Sequence, residues 1–421
     1  MWPVLRFPAF RAFFGIQFLG AFNDNLYKNA LVILITFKLS QSEEQTGLLV
    51  TLAAGLFILP FLLFSPLAGQ LADAYDKRWL IRKINLAEVG VMLLGAVSLI
   101  QQSIELLLFT LFLMGTQSAF FGPIKYAFLP EILPEKQLIK GNALFSGSTF
   151  VAILLGTILG GLGVMPDEGV YLMGAAVIVV ASLGYLASFA VGEIRPHPGY
   201  PEKIRFIGNT RSIFQQAIRH KEAFFAVLGI SWFWFFGAVI LSQIPTLVKY
   251  GLQADDQVVV WFLTLFSIGI ALGSAGIAQL FKGQVHLRWH PLLLLLMSTS
   301  LLVAVWLIHL HAPVDGSFAL TTLGEFLSGA YGLALSVSFA LMAFFGGAYI
   351  VPLYTLMQCK TPAEQRGQMI AVNNLINSGL MVLSSLLLML GFGLGLSLLA
   401  MLVILAVANI LVIVLFKMGA N

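Results

Sequence analysis

A single cysteine, Cys359, occurs in the 421 residues, so neither an intramolecular disulfide nor a cysteine-rich metal site is available. Charge is almost as scarce. Asp, Glu, Lys and Arg make up 10% of the chain against 59% hydrophobic residues, and the mean hydropathy is +0.93. A water-soluble domain of this length cannot hide so much apolar surface in one core, and the chain reads as an integral membrane protein. A phosphate-cradling glycine loop and a soluble nucleotide domain are also missing. The six histidines, His197, His220, His286, His290, His309 and His311, fall in or near loops, and no carboxylate pair or serine-histidine arrangement stands out at membrane depth. Catalysis, a cofactor and a metal centre therefore have no visible seat. His286 and His290 have helix-face spacing but read as a solvated pair.

The apolar runs are too long for barrel strands, and a spanning helix needs about 20 mostly apolar residues. Twelve spans are expected, near 10–37, 46–71, 79–100, 104–129, 138–164, 168–191, 223–248, 257–281, 291–310, 331–358, 366–390 and 394–416. An extra interfacial segment, with Glu325, is expected over Thr321 to Gly329. With both termini inside, one face collects nearly all Lys and Arg of the loops and the other keeps Lys38 and Lys249, the asymmetry of the positive-inside rule. The net charge of +4 is thus a topology signal and gives no support for nucleic-acid binding.

Lys28 and Lys125 are left at membrane depth. Lys28 belongs to the run Asn23-Asp24-Asn25-Leu26-Tyr27-Lys28-Asn29 inside the first span. A charge at the bilayer centre costs roughly 2.5–3.5 kcal/mol on insertion scales, so such residues mark a substrate or ion path. Asp24 and Lys28, four apart, share a helical face where they can pair with each other or together meet a dipolar ligand. Lys125 follows Gly122-Pro123, which is expected to break the fourth helix and turn carbonyls toward a cavity. The glycine pair Gly156 and Gly160 reads first as close helix packing.

The chain divides on paper into a six-helix bundle over 1–192, a polar linker over 193–222 and a second six-helix bundle over 223–421. Gly122-Pro123-Ile124-Lys125-Tyr126 is echoed by Val351-Pro352-Leu353-Tyr354-Thr355, and Asn142 with Ser146-Gly147 by Asn374 with Ser378-Gly379. Parallel six-helix repeats are one way in which secondary transporters are built. Between the second and third spans, Gly69-Gln70-Leu71-Ala72-Asp73-Ala74-Tyr75-Asp76-Lys77-Arg78 resembles the signature of the major facilitator superfamily. There Gly69 permits close helix approach, Asp73 can complement a helix N-terminus, and Lys77 and Arg78 can hold acidic partners. The resemblance implies a cytoplasmic gate. Asp76 stands where the signature usually has glycine.

Phe18-Leu19-Gly20-Ala21-Phe22-Asn23-Asp24-Asn25, the Gly122 to Tyr126 segment and Asn142-Ala143-Leu144 narrow the resemblance to the bacterial lysophospholipid transporters of that superfamily, in particular the form fused in some bacteria to an acyltransferase and acyl-carrier-protein (acyl-ACP) synthetase. What this implies is a monomeric inner-membrane flippase. It would bring lysophosphatidylethanolamine, and lysophosphatidylglycerol, from the outer to the inner leaflet by alternating access, for reacylation by a separate enzyme. Lys125 and Lys28 would take the phosphate, and Asp24 the ammonium or their counter-charge. Asn25, Asn142 and Asn373 would add hydrogen bonds, with Gln243 where the stand-alone branch carries a basic residue. The rival is a proton-coupled exporter of amphipathic drugs or small solutes on the same fold, with Asp24 as its titrating group.

Overall fold

The computed structural model describes the backbone of residues 2–192, 214–215, 217–280, 287–310, 320–362 and 365–419. Among these residues, twelve helices reach 20 residues or more. They are α1 (Pro8–Leu34), α2 (Glu43–Ala74), α3 (Lys77–Gln101), α4 (Ile104–Ile132), α5 (Glu135–Gly163) and α6 (Gly169–Ser188). Then follow α7 (Lys221–Thr246), α8 (Asp256–Leu280), α9 (His290–Leu310), α10 (Ala330–Cys359), α11 (Arg366–Gly393) and α12 (Leu398–Gly419). Each expected span has its helix. Nine are long and apolar enough to cross a membrane. The other three are α1, whose apolar course is interrupted by Asn23 to Asn29, and α5 and α12, which contribute the shorter apolar stretches Val151–Gly163 and Leu398–Ile413.

The residues form two compact units, Met1–Leu39 with Leu56–Gly208, and Ser40–Gly55 with Asn209–Asn421. The first half of α2 therefore groups with the second unit, a division that differs from a cut between whole bundles. Most of the segment between α6 and α7, residues 193–213 and 216, lies outside the described residues. Within the first unit α1 packs on α5 and α6, and α3 on α4 and α6; within the second, α7 packs on α11, and α9 on α10 and α12. The same pairings at positions six helices apart are what an internal repeat produces.

Close approach at small residues does the work that hydrophobic burial does in water, because lipid tails are as apolar as the side chains. A Cβ added at Gly156 would lie 2.5 Å from the Phe22 carbonyl oxygen, and one at Gly160 would meet that of Leu26, so α1 and α5 touch backbone to side. In the second unit Gly347 faces the Ile270 carbonyl, and Gly273 that of Phe344. Large apolar residues left exposed follow one another along single helices, Leu86, Leu93 and Val97 on α3 and Leu295, Val303 and Trp306 on α9, as a lipid-facing surface requires.

Three expectations change here. The fourth helix is not broken at Pro123: α4 runs unbroken to Ile132, and a proline is tolerated inside membrane helices. His290 is fully buried against the ring of Tyr349, with centroids 5.3 Å apart, and is no solvated residue. Gly69 is not a close contact, since a Cβ there meets no described atom within 4 Å. The interfacial segment is a short helix, Leu323–Ser328, started by a capping box in which Thr322 and Glu325 exchange side-chain to backbone bonds.

The glycine contacts make a paired prediction. Gly160→Ala should destabilise the solubilised protein by about 1–3 kcal/mol through overpacking. Gly69→Ala should stay within about 0.5 kcal/mol of wild type. Thermal unfolding of the two variants side by side checks both.

Candidate functional site

The polar run of α1 distributes its side chains over the helices around it. Asp24 points to α4, where its Oδ2 accepts a hydrogen bond from Ser118 Oγ at 2.6 Å. Lys28 donates to Asn25 Oδ1 at 3.0 Å and lies over the ring of Phe57 on α2, 5.6 Å from its centroid. Asn29 donates to the Asn25 carbonyl at 2.8 Å and to Thr157 Oγ1 on α5 at 3.1 Å. Asn23 turns away, toward α3 and α6.

Lys125 joins this group from α4. Its Nζ donates to Thr149 Oγ1 on α5 at 3.3 Å, and the same oxygen accepts from Gln17 Nε2 of α1 at 2.7 Å. Ser148 closes the patch by donating to Gln17 Oε1 at 3.2 Å. Asp24, Lys28 and Lys125 are each half-buried as whole residues. Both ammonium groups act electrostatically on the Asp24 carboxylate. Yet among the described residues the ion pairs within 4 Å are Lys77–Glu131, Arg78–Asp76 and Lys360–Glu222, so these three charges are held by neutral dipoles and not by each other. Of the two roles open to Asp24 and Lys28, the direct pair is not formed. What remains is two cations and one anion, each oriented by a neutral partner, in one unit.

Glu88 on α3 was not anticipated. It is 3% exposed and accepts from Asn23 Nδ2 at 3.1 Å and from Gln117 Nε2 at 3.4 Å. The reading that no carboxylate pair sits at depth is thereby corrected, because Ser118 and Gln117 connect Asp24 to Glu88. A lone acid inside an apolar span was the available signal, the same one that singled out Asp24.

Asn142 lies in α5, but its side chain is outside the described residues. Gln243 and Asn373 belong to the second unit. Gln243 is buried and donates to Thr51 Oγ1 at 2.7 Å, while its Oε1 has no hydrogen-bond partner. Asn373 is buried with its Oδ1 likewise unpartnered. Around them the polar contacts are neutral: Ser231 to Asn377 at 2.6 Å, Trp232 to Asn409 at 2.7 Å and Trp234 to Tyr354 at 3.1 Å.

In the connection between α2 and α3 the N-terminal cap of α3 is Asp76. Helix α2 extends through Asp73, whose side chain is outside the described residues, and Asp76 Oδ1 accepts from the backbone N–H of Arg78 at 2.8 Å and of Trp79 at 3.2 Å. An aspartate is a strong cap where the signature's glycine is a weaker one. Arg78 pairs with the same carboxylate at 2.9 Å, and Lys77 reaches Glu131 at the end of α4 at 2.6 Å.

Comparison with known proteins places this geometry. The family described as Major Facilitator Superfamily matches residues 13–385. The chain belongs to the major facilitator superfamily. Relatives named lysophospholipid transporter LplT, from Salmonella newport strain SL254 and Salmonella typhimurium strain LT2, are each 29% identical over 385 residues, covering 89% of this chain and 84% of theirs. The fold is also that of the peptide transporter PepTSo, of the POT family (TM-score 0.73, 13% identity, 98% of this chain and 97% of that one). A bacterial homologue of Spinster in an inward-facing, unoccupied conformation is similar as well (TM-score 0.67, 14% identity, 97% of each chain). Within a superfamily of transporters, charged residues at depth on α1 and α4 are candidates for ligand contact.

The cap gives a pH prediction. The hydrogen bond from the Arg78 side chain, with the two backbone N–H groups, holds the Asp76 carboxyl below its ordinary range. A depressed acid contributes stability above its unfolded value and loses it as pH falls through the folded one, so the contribution is complete at neutral pH and disappears in acid. Asp76→Ala should cost about 1 kcal/mol at neutral pH, with the difference from wild type vanishing in acid. Thermal unfolding across that pH range checks it.

Proposed function

We propose that this chain moves lysophospholipids, lysophosphatidylethanolamine foremost and lysophosphatidylglycerol with it, from the outer to the inner leaflet of a bacterial inner membrane by alternating access. The observation that carries the reading is the set Asp24, Lys28 and Lys125, half-buried in one unit and not consumed by mutual ion pairing. A lysophospholipid headgroup offers a phosphate anion and, in the ethanolamine form, an ammonium within a few bonds. Lys125 and Lys28 supply charge for the phosphate, and Asp24 for the ammonium. Asn25 positions Lys28 by accepting its hydrogen bond. The relatives named lysophospholipid transporter support the same substrate class.

Within the second unit, Gln243 Oε1 and Asn373 Oδ1 are buried acceptors without hydrogen-bond partners among the described residues, the chemistry that a free hydroxyl or an ammonium needs. The excess of Lys and Arg on one set of loops supports cytoplasmic termini. The protein acts as a monomer, surrounded by membrane lipids, and a separate acyltransferase and acyl-ACP synthetase consumes the delivered lipid. Gly69, Asp73, Lys77 and Arg78 form the cytoplasmic gate in this reading. The proton-coupled exporter remains the rival, and no contact in the site favours it over lipid.

Uptake of labelled lysophosphatidylethanolamine into spheroplasts expressing the chain tests the proposal. Wild type should show saturable uptake. Asp24→Ala and Lys125→Ala should each lose at least about tenfold in efficiency, the equivalent of one charge-assisted hydrogen bond of roughly 1.5–3 kcal/mol. No uptake above empty vector, with membrane expression confirmed, overturns the lipid reading.

A further inference from the structure

One buried acid has no part in the headgroup contacts. Glu88 lies in α3 with both carboxylate oxygens accepting from neutral amides, Asn23 Nδ2 at 3.1 Å and Gln117 Nε2 at 3.4 Å. Asn23 Nδ2 is also 3.2 Å from the Val177 carbonyl of α6. The site is therefore closed by four helices: α3 carries the acid, α1 brings Asn23, α4 brings Gln117, and α6 brings a backbone oxygen. At Gly20 of α1 an added Cβ would fall 4.0 Å from Glu88 Oε2, so α1 offers no side chain there.

Nothing on these elements balances the charge. Among the described residues no ammonium or guanidinium lies within 4 Å of Glu88. The charged group that acts on it is Asp24, which has the same sign, while Lys28 and Lys125 act on Asp24. Amide dipoles solvate a carboxylate but do not cancel its charge, and an uncompensated buried ion costs several kcal/mol. A second observation points to a missing positive group. Asn23 is fully buried, its amide is bound to Glu88, and its Oδ1 has no hydrogen-bond partner among the described residues. Turned by half a rotation, that amide would put Oδ1 beside Glu88 Oε1 and the Val177 carbonyl, three oxygens around one point.

We infer that Glu88 and Asn23, with the Val177 carbonyl, form a site for one small monovalent cation, a proton or a sodium ion. Either supplies the single positive charge the oxygens lack. The site is joined to Asp24. Ser118 Oγ has one proton and two acceptors, Asp24 Oδ2 at 2.6 Å and Gln117 Oε1 at 3.1 Å. When a ligand cation engages Asp24, that proton is free to turn to Gln117, whose amide holds Glu88. Ion occupancy and headgroup binding are then linked, each changing the affinity of the other by the same factor. This linkage rests on the headgroup reading of Asp24; the ion site does not.

Thermal unfolding of the full chain in detergent, without lysophospholipid, tests the site. One series varies pH in choline chloride; the other replaces choline by sodium at fixed pH and ionic strength. Wild type should gain stability saturably in one series, as pH falls if the ion is a proton, or as sodium rises. Glu88→Gln, neutral and isosteric, should fold and lose that dependence. Asn23→Asp adds a second carboxylate oxygen pair and should move the wild-type midpoint at least tenfold toward lower ion concentration, a gain that misfolding cannot imitate. A wild type flat in both series, a Glu88→Gln variant that keeps the wild-type slope, or an unmoved Asn23→Asp midpoint overturns the site. Saturating lysophosphatidylethanolamine should move the wild-type midpoint at least threefold; an unmoved midpoint overturns the linkage, while the headgroup reading stands or falls on uptake alone.

Discussion

The cost of placing charge where water is absent orders this molecule. An ionised side chain away from water must be hydrogen-bonded, and the donors and acceptors must come from neighbouring helices because each helix has used its own backbone. Asp24 needs Ser118 from α4, Lys125 needs Thr149 from α5, and Glu88 needs Asn23 from α1 and Gln117 from α4. The first unit is thus tied together by its charges. Packing answers to the same demand, since those partners sit within hydrogen-bond range only if helices come close. The glycines of α5 that meet the backbone of α1 hold Thr157 against Asn29 in the same stroke.

Apart from the exposed Lys360–Glu222 pair at its helix ends, the second unit joins its described helices through neutral groups. Asn409 accepts from Trp232 and donates to Ser298 and to the Leu294 carbonyl, joining α12, α7 and α9 through neutral groups. Interhelical bonds of this kind contribute about 0.6 kcal/mol each, enough to fix register without creating an ion that has to be solvated. The repeat in helix pairing accordingly carries different chemistry in its two copies, one ionic and one dipolar.

How far the sequence foretold this depends on what kind of force decides each feature. Twelve helices and their bounds were legible because hydropathy over some 20 residues is a sum, insensitive to any one residue. The same averaging concealed Glu88, one acid in an apolar span. Asp24 and Lys125 were legible as charges at depth, but their partners Ser118 and Thr149 were not, since small hydroxyls occur everywhere in membrane helices. The cap of α3 at Asp76 had no separate signal, because the position of a cap depends on where the preceding helix stops. Pro123 acts in the opposite sense, since the helix-breaking rule of water-exposed helices does not carry over to membrane helices, where proline is tolerated. The grouping of Ser40–Gly55 with the second unit is purely tertiary and left no local trace.

The absence of a direct Asp24–Lys28 pair has a consequence for transport. A pre-formed ion pair would have to be separated before either partner met a headgroup, and a buried pair costs about 3–5 kcal/mol to break by removing one side. The charge-assisted hydrogen bonds to Ser118, Asn25 and Thr149 are each worth roughly 1.5–3 kcal/mol net, less than a buried pair costs to break, and a phosphate or ammonium can replace them without leaving a bare charge behind. Binding strong enough to capture a headgroup can then be weak enough to release it, which a carrier needs more than affinity. The neutral side chains around the charges set that balance. Replacing Ser118 or Thr149 by an apolar residue would free the charge it restrains, trading a well-oriented weak site for a poorly oriented one in which Asp24 and the lysines are left to find each other.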